Sequence, residues 1–175
     1  MSNSLFQFRV AQRADVPAIC ALVNSAYRGD SSRAGWTTEA NLLTGVRVES
    51  PEVDELISNP DSLILVCQQG DHIIGSVNLQ NTEDGAYLGM FAVQPTLQGG
   101  GIGKQFIAQA EQIVQERWGV KRMWMTVITT RTELIAYYER RGYTRTGRIV
   151  PFPEEVGEEF RLVKDIEMVE LAKEF

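Results

Sequence analysis

GMFAVQPTLQGGGIGK, spanning Gly89 to Lys104, is an apolar strand running into a glycine-rich turn and then into a helix. The strand stops at Pro95, which cannot donate to a sheet ladder. Four glycines, Gly99, Gly100, Gly101 and Gly103, fall among the next few residues. They free the backbone for positive φ and for close approach to a ligand. Behind them Phe106, Ile107, Ala110, Ile113, Val114 and Trp118 form one apolar stripe at helical spacing, closed by Gly119. The start of a helix carries unpaired N–H groups and a partial positive charge, so this turn suits a phosphate. The same composition also serves a bare strand-to-helix turn. Walker A spacing fails, because Gln98 stands where its first glycine belongs and Gln105 follows Lys104. Rossmann spacing fails too, and with them a nucleotide-phosphate enzyme. The pattern that fits is Gln-x-x-Gly-x-Gly, filled by Gln98, Gly101 and Gly103.

Outward from this stretch, the pattern predicts strands over Leu5 to Val10, Ser62 to Gln68, His72 to Asn81, Ala86 to Val93, Arg122 to Ile128, Tyr143 to Val150 and Leu162 to Leu171. Gln69-Gly70-Asp71 and Glu83-Asp84-Gly85 are short turns, so three of these strands form an antiparallel meander. A first helix is expected behind Asp15 as N-cap, with Pro17 in its first turn and Ile19, Leu22, Val23, Ala26 and Tyr27 on one face. Thr37 or Thr38 opens a second helix to Val46, and Pro51 to Ser58 is a further helical piece. Thr130 and Glu133 have capping-box spacing, and the helix they open ends at Gly142. Strands and helices in this order give a mixed α/β sheet in a single domain, residues 1 to 175.

Composition narrows the function. The chain has 175 residues and a formal charge of −6, so it is a poor nonspecific partner for nucleic acid. No run approaches the ~18 apolar residues of a membrane span, and no secretion signal opens the chain. Cys20 and Cys67 lie in apolar runs and read as small buried hydrophobes, and the lone histidine, His72, reads as a hairpin residue. No metal site is expected, and the reading is a cytoplasmic protein. The Arg28-Gly29-Asp30 triplet reads as a chance match in a polar loop.

Two stretches together resemble the GNAT family of acyl-CoA-dependent N-acetyltransferases. Gly89 to Lys104 is similar to that family's strand and pyrophosphate loop, and Ile135 to Tyr143, IAYYERRGY, is similar to its later helix and strand. The resemblance implies a mostly antiparallel sheet with a splayed central parallel pair and flanking helices. It implies acetyl-CoA as cofactor, with pantetheine against the backbone of Phe91, Ala92 and Val93. The pyrophosphate would lie on Gln98, Gly99, Gly100, Gly101, Ile102, Gly103 and Lys104. Tyr138 matches the family tyrosine beside the CoA sulfur. A phenol, with a reference pKa of about 10, can hand its proton to a thiolate whose conjugate acid has a pKa of about 8.5. Tyr137 beside it reads as a core residue. The Phe91 N–H is the expected oxyanion donor.

Two positions depart from the family pattern. Arg131 stands where many members carry Asn, and it is taken as a cofactor contact. Gly89 stands where many carry a Glu that deprotonates the amine through water. That Glu matters, since a lysine-like amine is neutral in only about 1 part in 2,500 at pH 7. Its absence tilts the reading toward less basic amines, or toward a CoA-binding sensor module without catalysis.

The resemblance also places the acceptor amine, carried by a small molecule, amino acid or peptide, between Tyr27 to Val46 and Val150 to Phe160. Tyr27, Arg33, Trp36, Phe152 and Glu154 are the candidate contacts. Residues 151 to 175 hold eight acids against three bases, which favours a cationic acceptor beside that loop. The expected assembly is a monomer or homodimer.

Overall fold

The computed structural model describes residues 6–27, 48–94, 101–151 and 166–175. Tight turns at Gly70 and at Glu83-Asp84 fold the middle of the chain back on itself, which makes β2 (Ser62–Gln69), β3 (His72–Thr82) and β4 (Gly85–Val93) an antiparallel meander. β1 (Gln7–Val10) adds to the free edge of β2. From β4 the chain crosses through α3 (Ile102–Trp118) and returns as β5 (Arg122–Ile128), parallel to β4. After α4 (Thr132–Arg140) come β6 (Thr144–Pro151) and β7 (Glu167–Glu174), and β7 inserts between β5 and β6. The result is one sheet of seven strands in the order β1-β2-β3-β4-β5-β7-β6, antiparallel except at β4–β5.

Both faces of β2 are buried, so it reads as a continuous apolar run and not as an alternating one. Leu63, Leu65 and Cys67 face α3 and α4, together with Phe106, Ile107, Ala110, Val114, Leu134 and Ile135. Ile64 and Val66 face α1 (Val16–Tyr27) and α2 (Ser50–Ser58), against Ile19, Val23, Ala26 and Val53. Phe106 anchors the first layer, meeting Phe8 and Phe91 edge-on at 5.3 and 5.5 Å. Fully burying one such side chain stabilises the fold by roughly 1.5–3 kcal/mol. Among the described residues no helix is long and apolar enough to cross a membrane.

Several expectations are corrected. Asp15 does not cap α1. It closes a 3₁₀ turn over Arg13–Asp15, where its carboxylate accepts the Gln12 N–H at 2.8 Å and both Arg9 guanidinium ends at 2.8 and 3.0 Å. A charge-assisted fork outcompetes single backbone N–H groups for the same oxygens. Thr130 does not cap α4 either. Arg131 takes the N-cap position, and the turn closes through backbone, with the Arg131 N–H on the Ile128 carbonyl at 3.0 Å.

β7 ends later than its apolar pattern predicts, because it pairs along the whole of β5, from Met168 opposite Ile128 to Glu174 opposite Arg122, and the expected start over 162–165 lies outside the described residues. Ile113, Trp118 and Cys20 are half-buried at the edges of their layers, whereas Cys67 is fully buried. The helix expected over Thr37 to Val46 lies outside the described residues.

Candidate active site

β4 carries the site, and one irregularity shapes it. Ala92 pairs with Ser76 and Gly89 with Asn78, so Val77 of β3 faces the two residues Met90 and Phe91. Met90 takes the extra step with φ of 49°, the only positive φ outside glycine among the described residues. Such a bulge bends and twists its strand and shifts the alternation of side chains by one. Before it, Ala86 and Leu88 face the α3 layer. Beyond it, Phe91 and Val93 do, and Ala92 faces α1. Phe91, Ala92 and Val93 are all buried.

The bulge has a counterpart on the other edge of β4. The parallel ladder to β5 holds only Ala86 opposite Met123 and Tyr87 opposite Trp124. β5 continues to Ile128 while remaining paired to β7, so the two central strands part beyond Tyr87 and Trp124. The opening lies beside Phe91, Ala92 and Val93, the residues expected to hold pantetheine.

After β4, the first turn of α3 carries the described glycines, Gly101 and Gly103. Gly101 caps α3 with φ of 83°, a left-handed conformation costly to any residue with a Cβ. In that first turn Ile102 is buried and Lys104 is exposed. Gln98, Gly99 and Gly100 lie outside the described residues. Gly103 is set by contact. A Cβ there would run into the Tyr137 hydroxyl and lie 3.7 Å from the Phe91 ring. Tyr137, expected to be plain core, thus joins α4, the first turn of α3 and β4 at one point. Burial raises its phenol above the usual range, and Arg141, whose guanidinium lies 4.6 Å from the ring centre, pulls it partly back.

Tyr138 lies on the inner face of α4 with Leu134 and Ile135, 4% exposed, with its ring centre 6.0 Å from that of Tyr143. Arg131 is half-buried at the start of the same helix. Phe91, Ala92 and Val93 thus lie on β4 beyond its last pair with β5, and Gly103 stands between Phe91 and Tyr137 of the helix that carries Tyr138 and opens at Arg131. Arg33, Trp36, Phe152 and Glu154 lie outside the described residues, and Tyr27 ends α1. Glu83 and Asp84 are exposed in the β3–β4 turn, at the end of β4 away from the opening.

The sequence reading missed Tyr87 and Trp124. Their rings are half-buried and lie 4.8 Å apart on the sheet face opposite α3, at the last pair before the strands part. Their signal was parity. Tyr87 sits between the core residues Ala86 and Leu88, and Trp124 between Met123 and Met125, so each is an aromatic aimed away from that core.

Residues 22–143 match the family model described as Acetyltransferase (GNAT) family. The chain belongs to this family. GNAT members use acetyl-CoA, and the chain is an acyltransferase by membership. Its fold is that of solved GNAT structures. The ribosomal-protein-S18-alanine N-acetyltransferase of Escherichia coli superposes with a TM-score of 0.71 at 17% identity, over 97% of this chain and 93% of that one. The ribosomal-protein-alanine N-acetyltransferase of Brucella melitensis gives 0.72 at 18% identity, over 97% and 99%. An acetyltransferase of Bacillus anthracis, solved in complex with acetyl coenzyme A, gives 0.60 at 21% identity, over 70% and 68%. No curated protein sequence matches. At these identities the likeness is one of fold.

Proposed function

We propose that this GNAT protein, as a single domain, moves an acetyl group from acetyl-CoA to a primary amine by direct attack in a ternary complex. The observation that carries the reading is the parting of β4 and β5 after two residue pairs, directly beside a glycine-capped helix start. Acetyl-CoA supplies an activated thioester, and the residues present fit it. The opening is lined by strand backbone, and the left-handed Gly101 leaves the first turn of α3 free of side-chain capping. Gln98 to Lys104 would hold the pyrophosphate, with Arg131 as a further contact, and the backbone of Phe91 to Val93 the pantetheine. The Phe91 N–H is the hydrogen-bond donor to the carbonyl oxygen. Tyr138 holds the proton for the departing sulfur.

The acceptor carries an amine on a small molecule, amino acid or peptide, bound near Tyr27, Arg33, Trp36, Phe152 and Glu154. The protein works in the cytoplasm as a monomer or homodimer. Calorimetry with acetyl-CoA tests the cofactor half of the reading, and absence of binding at high micromolar ligand overturns it. A second reading, a CoA-binding module without catalysis, is favoured by one observation. The place of the family's base is Gly89, with the Tyr87 ring against it. Saturable acetyl-CoA binding without transfer to any of a broad panel of amines would favour that module.

A further inference from the structure

A Cβ on Gly89 would stand 2.8 Å from Cε1 of Tyr87 and 3.2 Å from its Cζ and Oη. The Tyr87 ring therefore leans along β4 toward the opening and fills the space above residue 89. No larger side chain fits there unless the ring moves. The place where a carboxylate could have stood is taken by a phenol.

The ring does not stand alone. Trp124 lies beside it with centres 4.8 Å apart and planes inclined by 54°. The indole N–H of Trp124 donates to the Thr82 hydroxyl at 3.1 Å, and that hydroxyl donates to the Gly85 carbonyl at 2.6 Å. The indole is thus held in one orientation, its polar atom satisfied within the protein and its ring half-exposed. Both residues sit on the face opposite α3, at the pair where β4 and β5 part. Past Thr82, at the end of β4 and β5 away from the opening, runs an open groove of about 520 Å³, lined by Glu83, Asp84, Lys121, Arg122, Arg148 and Glu170 among others. Within it Glu170 accepts the Thr146 hydroxyl at 2.7 Å and lies 3.8 Å from Arg148.

We infer that Tyr87 and Trp124 form the acceptor subsite, and that it takes a primary amine carried on an aromatic or flat apolar skeleton. The inference rests on the acetyl-transfer reading above and names the acceptor class of that same site. Two preoriented rings give such a skeleton a surface to pack on, and a ring face also attracts a nearby ammonium group. The Tyr87 hydroxyl, standing over Gly89 toward the opening, is the hydrogen-bond partner for the amine nitrogen. The groove beyond, with charges of both signs, accepts a polar end on the far side of the skeleton.

The test compares tryptamine and phenethylamine with ethylamine as acceptors at saturating acetyl-CoA, in the wild-type chain and in Trp124→Leu, Trp124→Phe and Tyr87→Phe. Calorimetry with acetyl-CoA is run on each protein. The expected result is a KM for the ring-bearing amines about tenfold or more below that for ethylamine. Trp124→Leu should abolish that difference and Trp124→Phe should keep most of it, with acetyl-CoA affinity unchanged within about twofold. Tyr87→Phe should raise the KM of all three amines alike. Equal KM values for ring-bearing and plain amines overturn the inference, as does a preference that survives Trp124→Leu. Acetyl-CoA binding with no transfer to any amine also overturns it while leaving the cofactor site standing. Absence of acetyl-CoA binding in the wild type overturns the reading beneath it.

Discussion

The phenol of Tyr143 donates to the carboxylate of Glu111 at 3.1 Å, and the same carboxylate takes Lys173 at 3.0 Å through both oxygens. Tyr143 begins the chain's return after α4, Glu111 lies in the middle of α3, and Lys173 is near the end of β7. One carboxylate thus ties α3 to the strand at the far side of β5 and to the segment that follows α4. Burial, reinforced by Glu111, pushes the Tyr143 phenol far above its usual range, so it stays a donor.

Removing the carboxylate leaves a buried hydroxyl and a half-buried ammonium with poor partners. Glu111→Ala is expected to cost about 2–3 kcal/mol, and Tyr143→Phe about 1 kcal/mol. In a domain of this size each kcal/mol lowers Tm by about 2–4 °C. Urea denaturation of both variants measures the difference. Equal losses would show that the bond from Lys173 to Glu111 adds nothing to stability.

Gly103 and Tyr137 make a second pair with a sharper signature. Gly103→Ala brings a methyl group into the Tyr137 hydroxyl, so that either the ring or the first turn of α3 must shift. The dissociation constant for acetyl-CoA should rise by about tenfold, equivalent to about 1.4 kcal/mol. Tyr137→Phe removes the obstructing oxygen, so the double variant should recover most of the lost affinity. Calorimetry on the four proteins gives the coupling, and strictly additive effects would refute the contact.

Tyr138→Phe separates chemistry from binding. With its ring buried on the inner face of α4, loss of the hydroxyl leaves packing intact. Turnover should fall by about 100-fold at unchanged acetyl-CoA affinity. Unchanged turnover removes Tyr138 from the proton-donor role.

The Arg9–Asp15 pair sets a limit on acid stability. Hydrogen bonding from Arg9 holds the Asp15 carboxyl below the usual carboxylate range, against the opposing effect of burial. A carboxyl with a depressed folded value stabilises fully above its unfolded value, near pH 4, and that stabilisation is lost as pH falls through the folded value. Asp15→Asn should therefore cost about 1 kcal/mol at pH 7 and progressively less below about pH 4. Thermal melts across that window check the sign.

The sequence was legible where one local pattern determines one local structure. Apolar periodicity located β5 and α3 closely, and the glycines of the turn announced the left-handed start of α3. Capping was less legible. Asp15 and Thr130 both had the right residue type at the right spacing, but Asp15 found a guanidinium and the turn at Thr130 closed through backbone. Contacts between elements were not legible. Nothing local says that Tyr87 lies opposite Trp124, because register across a parallel pair is set by the crossover helix between them. Nor does it say that the Tyr137 hydroxyl occupies the space above Gly103. Gly89 read as a missing base, and the structure adds the ring that fills its place.

The two residue pairs between β4 and β5 have a mechanical meaning. Among the described residues, Ala86–Met123 and Tyr87–Trp124 are the only rungs joining the four strands β1 to β4 to the three strands β5 to β7. Backbone therefore joins the two halves weakly, and side chains join them instead, since one apolar core runs from Leu63 and Val77 through Phe106 to Met123 and Leu171. Rigidity at the centre of this sheet therefore comes from packing against α3 and not from the ladder.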